Sequence, residues 1–294
     1  MQMRKLGNTG PMVSAIGLGA MSFGGIFGAT TEGESLACLD AMLDVGINLI
    51  DTANIYGMGI SETVIGKWLA SRRPDVVIAT KASFVAGPPR RIDNSEAHLR
   101  AELEASLKRL NRDHVELFYI HRREHSRPLA EVIGTLSRLI EEGKIGGYGL
   151  SEIAPDTLRH AHAIHPCTAV QNEYSLWSRQ PELGLIEACR RLGVAFVPFS
   201  PLARGMLGDT ALELPSDGFR ANNPRFTEPN FTANTLKINA FRDFCAARGW
   251  PTPAVALAWL LSRGPHLVPI PGTRSARNLR QWAKACEIAL SAQD

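Results

Sequence analysis

Residues Gly17–Gly25 read GLGAMSFGG. The run closes an apolar strand candidate, VSAIGLGA (13–20), and its spaced glycines invite the dinucleotide-binding turn of an open doubly wound sheet. That turn requires a third glycine three residues after the second, and Ser22 stands there instead. GGYGLSE (146–152) fails likewise. A closed barrel is the alternative.

Working outward, short β-branched runs recur along the chain. After residues 13–20 come INLIDTA (47–53), VVIATKAS (76–83), VELFYIHR (115–122), IGGYGLS (145–151), TAVQNE (168–173), VAFVPFS (194–200) and HLVPIPG (266–272). Each is followed by a stretch of helical periodicity: Thr31–Val45, Ser61–Ser71, Ser95–Leu110, Leu129–Glu142, Pro155–Ile164, Pro181–Leu192, Asn234–Arg248 and Ser275–Leu290, with an extra one at Pro253–Ser262. Ser95 is placed as an N-cap, Pro155 and Pro181 suit first turns, and Gly143, Gly193 and Gly249 stand where helices stop. Eight strand–helix units over about 270 residues predict one α/β domain, residues 1–294, folded as a (β/α)8 TIM barrel. Met1–Gly10 precedes the first strand, and the LGNTG turn predicts an N-terminal hairpin closing the barrel floor. Ala203–Ala233, rich in Pro, Asn and Gly, is a long segment of the kind that is either functional or disordered.

The totals exclude several classes. At 45 % hydrophobic and 21 % charged residues, the 294-residue chain has the composition of a globular protein with a full core. A formal charge of +3 gives no reason to expect nucleic acid or a membrane surface as partner. No apolar run reaches the ~20 residues that span a bilayer. Five scattered cysteines without CxxC spacing, and no apolar leader at MQMRKLGNTG, point to a reducing, cytoplasmic setting.

In a (β/α)8 barrel the reacting groups lie at the C-terminal strand ends. Reading only those positions gives Asp51 and, just beyond it, Tyr56; then Lys81, His121, Ser151 with Glu152, Gln171 with Asn172, Phe199 with Ser200, and Gly272 to Arg274. Each alone is an ordinary polar strand end. Together, Asp, Tyr, Lys and His form an acid apparatus. A phenol with a pKa near ~10 is a poor donor at neutrality. A lysine ammonium lowers that pKa, an aspartate holds the ammonium in place, and a histidine orients a carbonyl oxygen. A Schiff-base role for Lys81 remains the rival chemistry.

These residues sit in DTANIYG, IATK, LFYIHR, GLSE, VQNEYS, PFSPLARGML and VPIPGTRS, and the chain thereby resembles the aldo-keto reductases from about residue 3 to residue 290. The resemblance implies an oxidoreductase that interconverts an aldehyde or ketone and the corresponding alcohol, using NADP (NADPH preferred, NADH the alternative). It implies Tyr56 as general acid/base, with Lys81, Asp51 and His121 completing the catalytic set. It assigns Ser151 and Gln171 to the nicotinamide carboxamide, with Asn172 falling beside them in the cofactor site, and the Phe199 ring to the nicotinamide face. Ser200, Leu202 and Arg204 fall on the pyrophosphate path, with Gly272, Thr273, Arg274 and Asn278 toward the adenosine 2′-phosphate. The chain reads ARNLRQWAK where the family commonly has Glu-Asn after Arg or Gln. Some family members, the potassium-channel β subunits, act mainly as redox-sensing partners. Otherwise the resemblance implies a small-molecule substrate and a monomer or small homo-oligomer.

No metal site is expected. In RHAHAIH (159–165), His160 and His162 point about 200° apart on a helix, and His162 with His165 lacks a third ligand. His125, Arg122 and Arg123 are read as a charged loop at the barrel mouth, PPRR (88–91) as a solvated turn. Met21, Phe23, Ile26, Phe84 and Trp177 are the candidate walls of an apolar substrate pocket.

Overall fold

The computed structural model describes residues 1–85, 87–89 and 91–294; Arg90 of the PPRR turn lies outside them. Its centre is a seven-stranded parallel sheet. The chain first forms a hairpin of β1 (Met3–Lys5) and β2 (Met12–Ser14), then β3 (Leu18–Gly19), β4 (Leu49–Asp51) and β5 (Val77–Ala82). A small antiparallel pair, β6 (Phe84–Val85) and β7 (Arg91–Ile92), is followed by β8 (Leu117–Ile120), β9 (Tyr148–Ser151), β10 (Ala169–Gln171) and β11 (Ala195–Phe196). The sheet order is β3-β4-β5-β8-β9-β10-β11.

Residues 266–272 close the ring. Val268 and Ile270 donate to the carbonyls of Phe196 and Pro198 on one side, and the carbonyls of Pro269 and Pro271 accept from Gly17 and Gly19 on the other. Parallel bridges Phe196↔Leu267 and Gly19↔Gly272 mark the two contacts. The eighth strand is irregular for a simple reason. Pro269 and Pro271 have no N–H, so against β3 this segment only accepts.

Period-two alternation separates two cores. Leu49, Val77, Ala79, Leu117, Ala169, Ala195, Val197, Val268 and Ile270 point into the barrel, where Leu6 and Val13 of the hairpin seal its lower end. Ile50, Ile78, Phe118, Leu150, Val170 and Phe196 point outward against the helices. The hairpin is held to the floor by Asn8 N–H on the Gly193 carbonyl and by a Thr9–Thr168 hydroxyl contact. Its second arm takes residues 12–14, so the first barrel strand starts later than the sequence pattern suggests.

The outer layer is α1 (Glu32–Asp44), α2 (Ile60–Arg72), α3 (Glu96–Leu110), α4 (Leu129–Glu141), α5 (Pro155–Ile164), α6 (Leu185–Leu192), α7 (Gly218–Ala221), α8 (Asn230–Ala246), α9 (Thr252–Ser262) and α10 (Ala276–Ala283). Thr31 and Glu34 form a capping box on α1, and Ser95 caps α3 by accepting from His98 N–H. Gly184, at φ 112°, breaks the helix expected from Pro181 into a short turn and α6. The long segment after β11 is shorter than expected, because α7 and α8 begin inside it. Among the described residues no helix is long and apolar enough to cross a membrane.

Candidate active site

The inward alternation carries straight on into the polar strand ends. Above the apolar layers, Asp51, Lys81, Tyr119 and Gln171 form one buried polar tier contributed by β4, β5, β8 and β10. Lys81, fully buried, donates to Asp51 Oδ1, to the Thr52 carbonyl at 2.7 Å and to the Tyr56 hydroxyl at 3.5 Å. The ammonium also lies 5.1 Å from the Tyr56 ring centroid. His121, one residue past β8, stands edge-on to the Tyr56 ring at 5.9 Å and to the Phe84 ring at 5.1 Å. The four side chains named from strand ends therefore meet at one mouth.

Burial pushes the Tyr56 phenol upward; the Lys81 charge pulls it down, and burial wins. The sequence-based expectation of a lowered phenol holds for the lysine's own effect but not for the sum. Burial acts against the Lys81 ammonium, yet the Asp51 charge and Tyr56 together leave its pKa above the ordinary lysine value. Burial raises the Asp51 carboxyl, and Lys81 and Gln171 pull it only part of the way back.

Two glycines set the position of Tyr56. The turn Ala20–Gly24 lies so close to Tyr56–Gly57 that a Cβ on Gly24 would sit 2.4 Å from the Gly57 nitrogen. The Ser61 hydroxyl bridges the Ala20 carbonyl and Thr52, tying the same turn to the end of β4. Phe23, taken as a pocket wall, is instead fully buried in the outer core, while Trp177 packs beneath the long loop with Leu202.

The residues assigned to a nucleotide divide into two groups. Ser151 and Gln171 are buried at adjoining strand ends, and the half-buried Phe199 ring packs on the barrel interior. Ser200, Ala203, Arg204 and Gly205 all have positive φ, a strained turn such as ligand clamps use. Other side chains are committed elsewhere. Asn172 clamps the backbone of Ile153 through both ends of its amide, at 3.2 and 3.1 Å. Arg204 pairs with Glu173 at 2.9 Å, as does Arg225. Asn278 and the Ser275 N–H both reach the Thr273 hydroxyl at 3.0 Å, and Arg274 Nη1 donates to the Gly28 carbonyl at 2.9 Å. Gly272 lies against Gly19 at the barrel seam.

Sequence reading missed three sets of contacts. Gln171 Nε2 donates to Asp51 Oδ2 at 2.8 Å. Arg122 Nη1 donates to the His121 carbonyl at 2.6 Å and to Ser151 Oγ at 3.3 Å. Phe27 and Phe219 meet edge to face at 5.4 Å, with Arg220 over Phe27, so the loop after β3 touches the long loop. Only the first had a sequence signal: Gln171 shares the inward parity of Ala169. Among the described residues no group of His, Cys, Asp or Glu is arranged to hold a metal; His162 instead accepts from the Cys167 N–H.

Comparison with known proteins gives one answer. The profile of the Aldo/keto reductase family matches residues 15–294. A probable aldo-keto reductase 1 from Glycine max is 39 % identical over 297 residues, covering 99 % of this chain and 86 % of that protein. The glycerol dehydrogenase of Gluconobacter oxydans superposes with a TM-score of 0.89 at 26 % identity, over 99 % of this chain and 92 % of the other. An aldo-keto reductase from Bacillus halodurans, in its holo form, gives 0.82 at 26 % identity, over 100 % and 93 %.

Proposed function

We propose that this chain, which belongs to the aldo/keto reductase family, interconverts an aldehyde or ketone and its alcohol, with Tyr56 passing the proton. The observation that carries the reading is the buried chain Asp51–Lys81–Tyr56 with His121 edge-on beside it. In that arrangement Tyr56 is held by a cation that stabilises its phenolate, and His121 stands where it can orient a carbonyl oxygen. In reduction the Tyr56 hydroxyl gives its proton to the developing alkoxide. In oxidation the phenolate takes it back.

The donor set fits a nicotinamide nucleotide, which when bound supplies or accepts the hydride. Ser151 Oγ and the Gln171 amide oxygen suit a carboxamide, and the Phe199 face suits a flat ring. Arg274 suits a 2′-phosphate, favouring NADPH, with NADH the alternative. Asn172 and Arg204 fit less well, since one is fixed to backbone and the other to Glu173. The Gluconobacter relative is named for an alcohol, and Phe84 at the mouth suits a carbonyl compound with an apolar part.

Stopped-flow fluorescence with NADPH and NADH, then turnover on a panel of aldehydes and ketones, tests the proposal. Binding of neither nucleotide sinks it. Tyr56→Phe should remove most turnover while leaving nucleotide affinity intact, and a wild-type kcat in that variant would displace Tyr56 from its role.

A further inference from the structure

The Asp51 carboxylate is gripped from both sides. Oδ1 accepts from Lys81, and Oδ2 accepts from Gln171 Nε2 at 2.8 Å, a bond crossing the barrel from β10 to β4. Both residues are almost wholly buried. An ionised carboxylate only accepts, so the glutamine nitrogen is fixed toward Asp51. The amide oxygen is then the atom left to meet a carboxamide N–H.

We propose that Gln171 is a positioning residue for proton transfer: it fixes Asp51 Oδ2 so that Oδ1 stays on Lys81, linking the cofactor seat to the general acid. This rests on the function proposed above and goes beyond it, because it gives Gln171 a task on the protein side of the reaction. Without the amide donor, Oδ2 is a buried carboxylate oxygen lacking its partner. Asp51 then either takes up a proton or turns toward Tyr119, and either movement loosens Lys81 from its place beneath Tyr56. The Gly149 backbone supports the same tier: a Cβ there would lie 2.3 Å from Tyr119, so only glycine leaves that ring its room beside Gln171.

The test is a double-mutant cycle on the single-turnover rate, using Gln171→Met, which keeps volume and removes the donor, and Asp51→Asn. Gln171→Met should slow the chemical step about tenfold in the wild-type background and less than about twofold beside Asp51→Asn. Equal losses in both backgrounds, with a raised NADPH Kd, would overturn the proposal and leave Gln171 as a carboxamide ligand only. A second readout needs no turnover. With 13C-labelled aspartate, the Asp51 carboxyl resonance, assigned by its loss in Asp51→Asn, should titrate at higher pH in Gln171→Met. Lys81, Tyr56 and Tyr119 are the other titrating groups facing it. An unmoved midpoint overturns the link. A moved midpoint in a protein that reduces no carbonyl would keep the link and sink the proposed function instead.

Discussion

Lys81 lies 3.5 Å from the Tyr56 hydroxyl, farther than from either Asp51 or Thr52, which take its shorter bonds. The lysine therefore acts on the phenol chiefly through its charge. Burial nevertheless leaves the phenol above its ordinary value of 10.0. The sign of the pH dependence follows. With Tyr56 as the proposed proton donor, reduction would need the protonated phenol, so kcat/KM for a ketone should show no alkaline fall from Tyr56 until pH exceeds about 10. Oxidation needs the phenolate and should climb with pH throughout that range. Lys81→Met raises the phenol further, so alcohol oxidation should drop by roughly 10²-fold or more, and more steeply than reduction at pH 7. Equal losses in the two directions would show that the ammonium's charge is not what matters.

Gly24 tests how tightly Tyr56 must be held. A methyl group at that position meets backbone atoms of Tyr56 and Gly57, not a flexible side-chain tip, so one of the two segments has to move. Gly24→Ala should lower kcat by roughly 10- to 100-fold through misplacement of the hydroxyl. The NADPH Kd, read by fluorescence, should change less than kcat, because Ser151 and Phe199 lie on other strand ends. A larger effect on Kd than on kcat would place the damage elsewhere.

Which parts were legible in the sequence depends on the range of the interaction. Short β-branched runs and the helical periods between them are local, so the strands could be read, and the rule that reacting groups lie at C-terminal strand ends brought Asp51, Tyr56, Lys81 and His121 together. Helix ends marked by Ser95, Pro155 and Gly193 could be read too. What could not be read is the choice a side chain makes among several partners in reach. Asn172 has an amide suited to a cofactor, yet the Ile153 backbone lies closer in the fold. Arg204 is a cation on the expected phosphate path, yet Glu173 takes it. The balance at Tyr56 is of the same kind, since burial is a property of the whole barrel and not of any motif.

Arg274 offers a clean separation of two roles. Its Nη1 bond to the Gly28 carbonyl ties the strand-eight end to the loop after β3. If the guanidinium also meets a 2′-phosphate, Arg274→Ala should weaken NADPH by about tenfold and NADH by less than about twofold. A loop-tying role alone would weaken both nucleotides equally. Stopped-flow titration with each nucleotide distinguishes the outcomes.

Glu173 is the hinge pin of the long loop. Its two oxygens take Arg204 and Arg225 at 2.9 Å each, joining the end of β10 to two points of the segment after β11. Burial works against this carboxylate, but the Ser178 hydroxyl and the two arginines outweigh it and hold its pKa below the ordinary glutamate value. A depressed pKa in the folded state means the stabilisation is complete above the unfolded value near ~4.3 and is lost as pH falls through the folded value. Glu173→Gln keeps the shape and removes the charge, so it should cost about 2 kcal/mol at pH 7 and progressively less under acid. It should also open the loop to proteolysis between Ala203 and Phe231, while α2, α3 and the barrel strands stay protected. Hydrogen exchange across that segment, wild type against variant at pH 7 and pH 3.5, checks both statements. Uniform loss of protection over the whole chain would mean that Glu173 supports the barrel and not the loop.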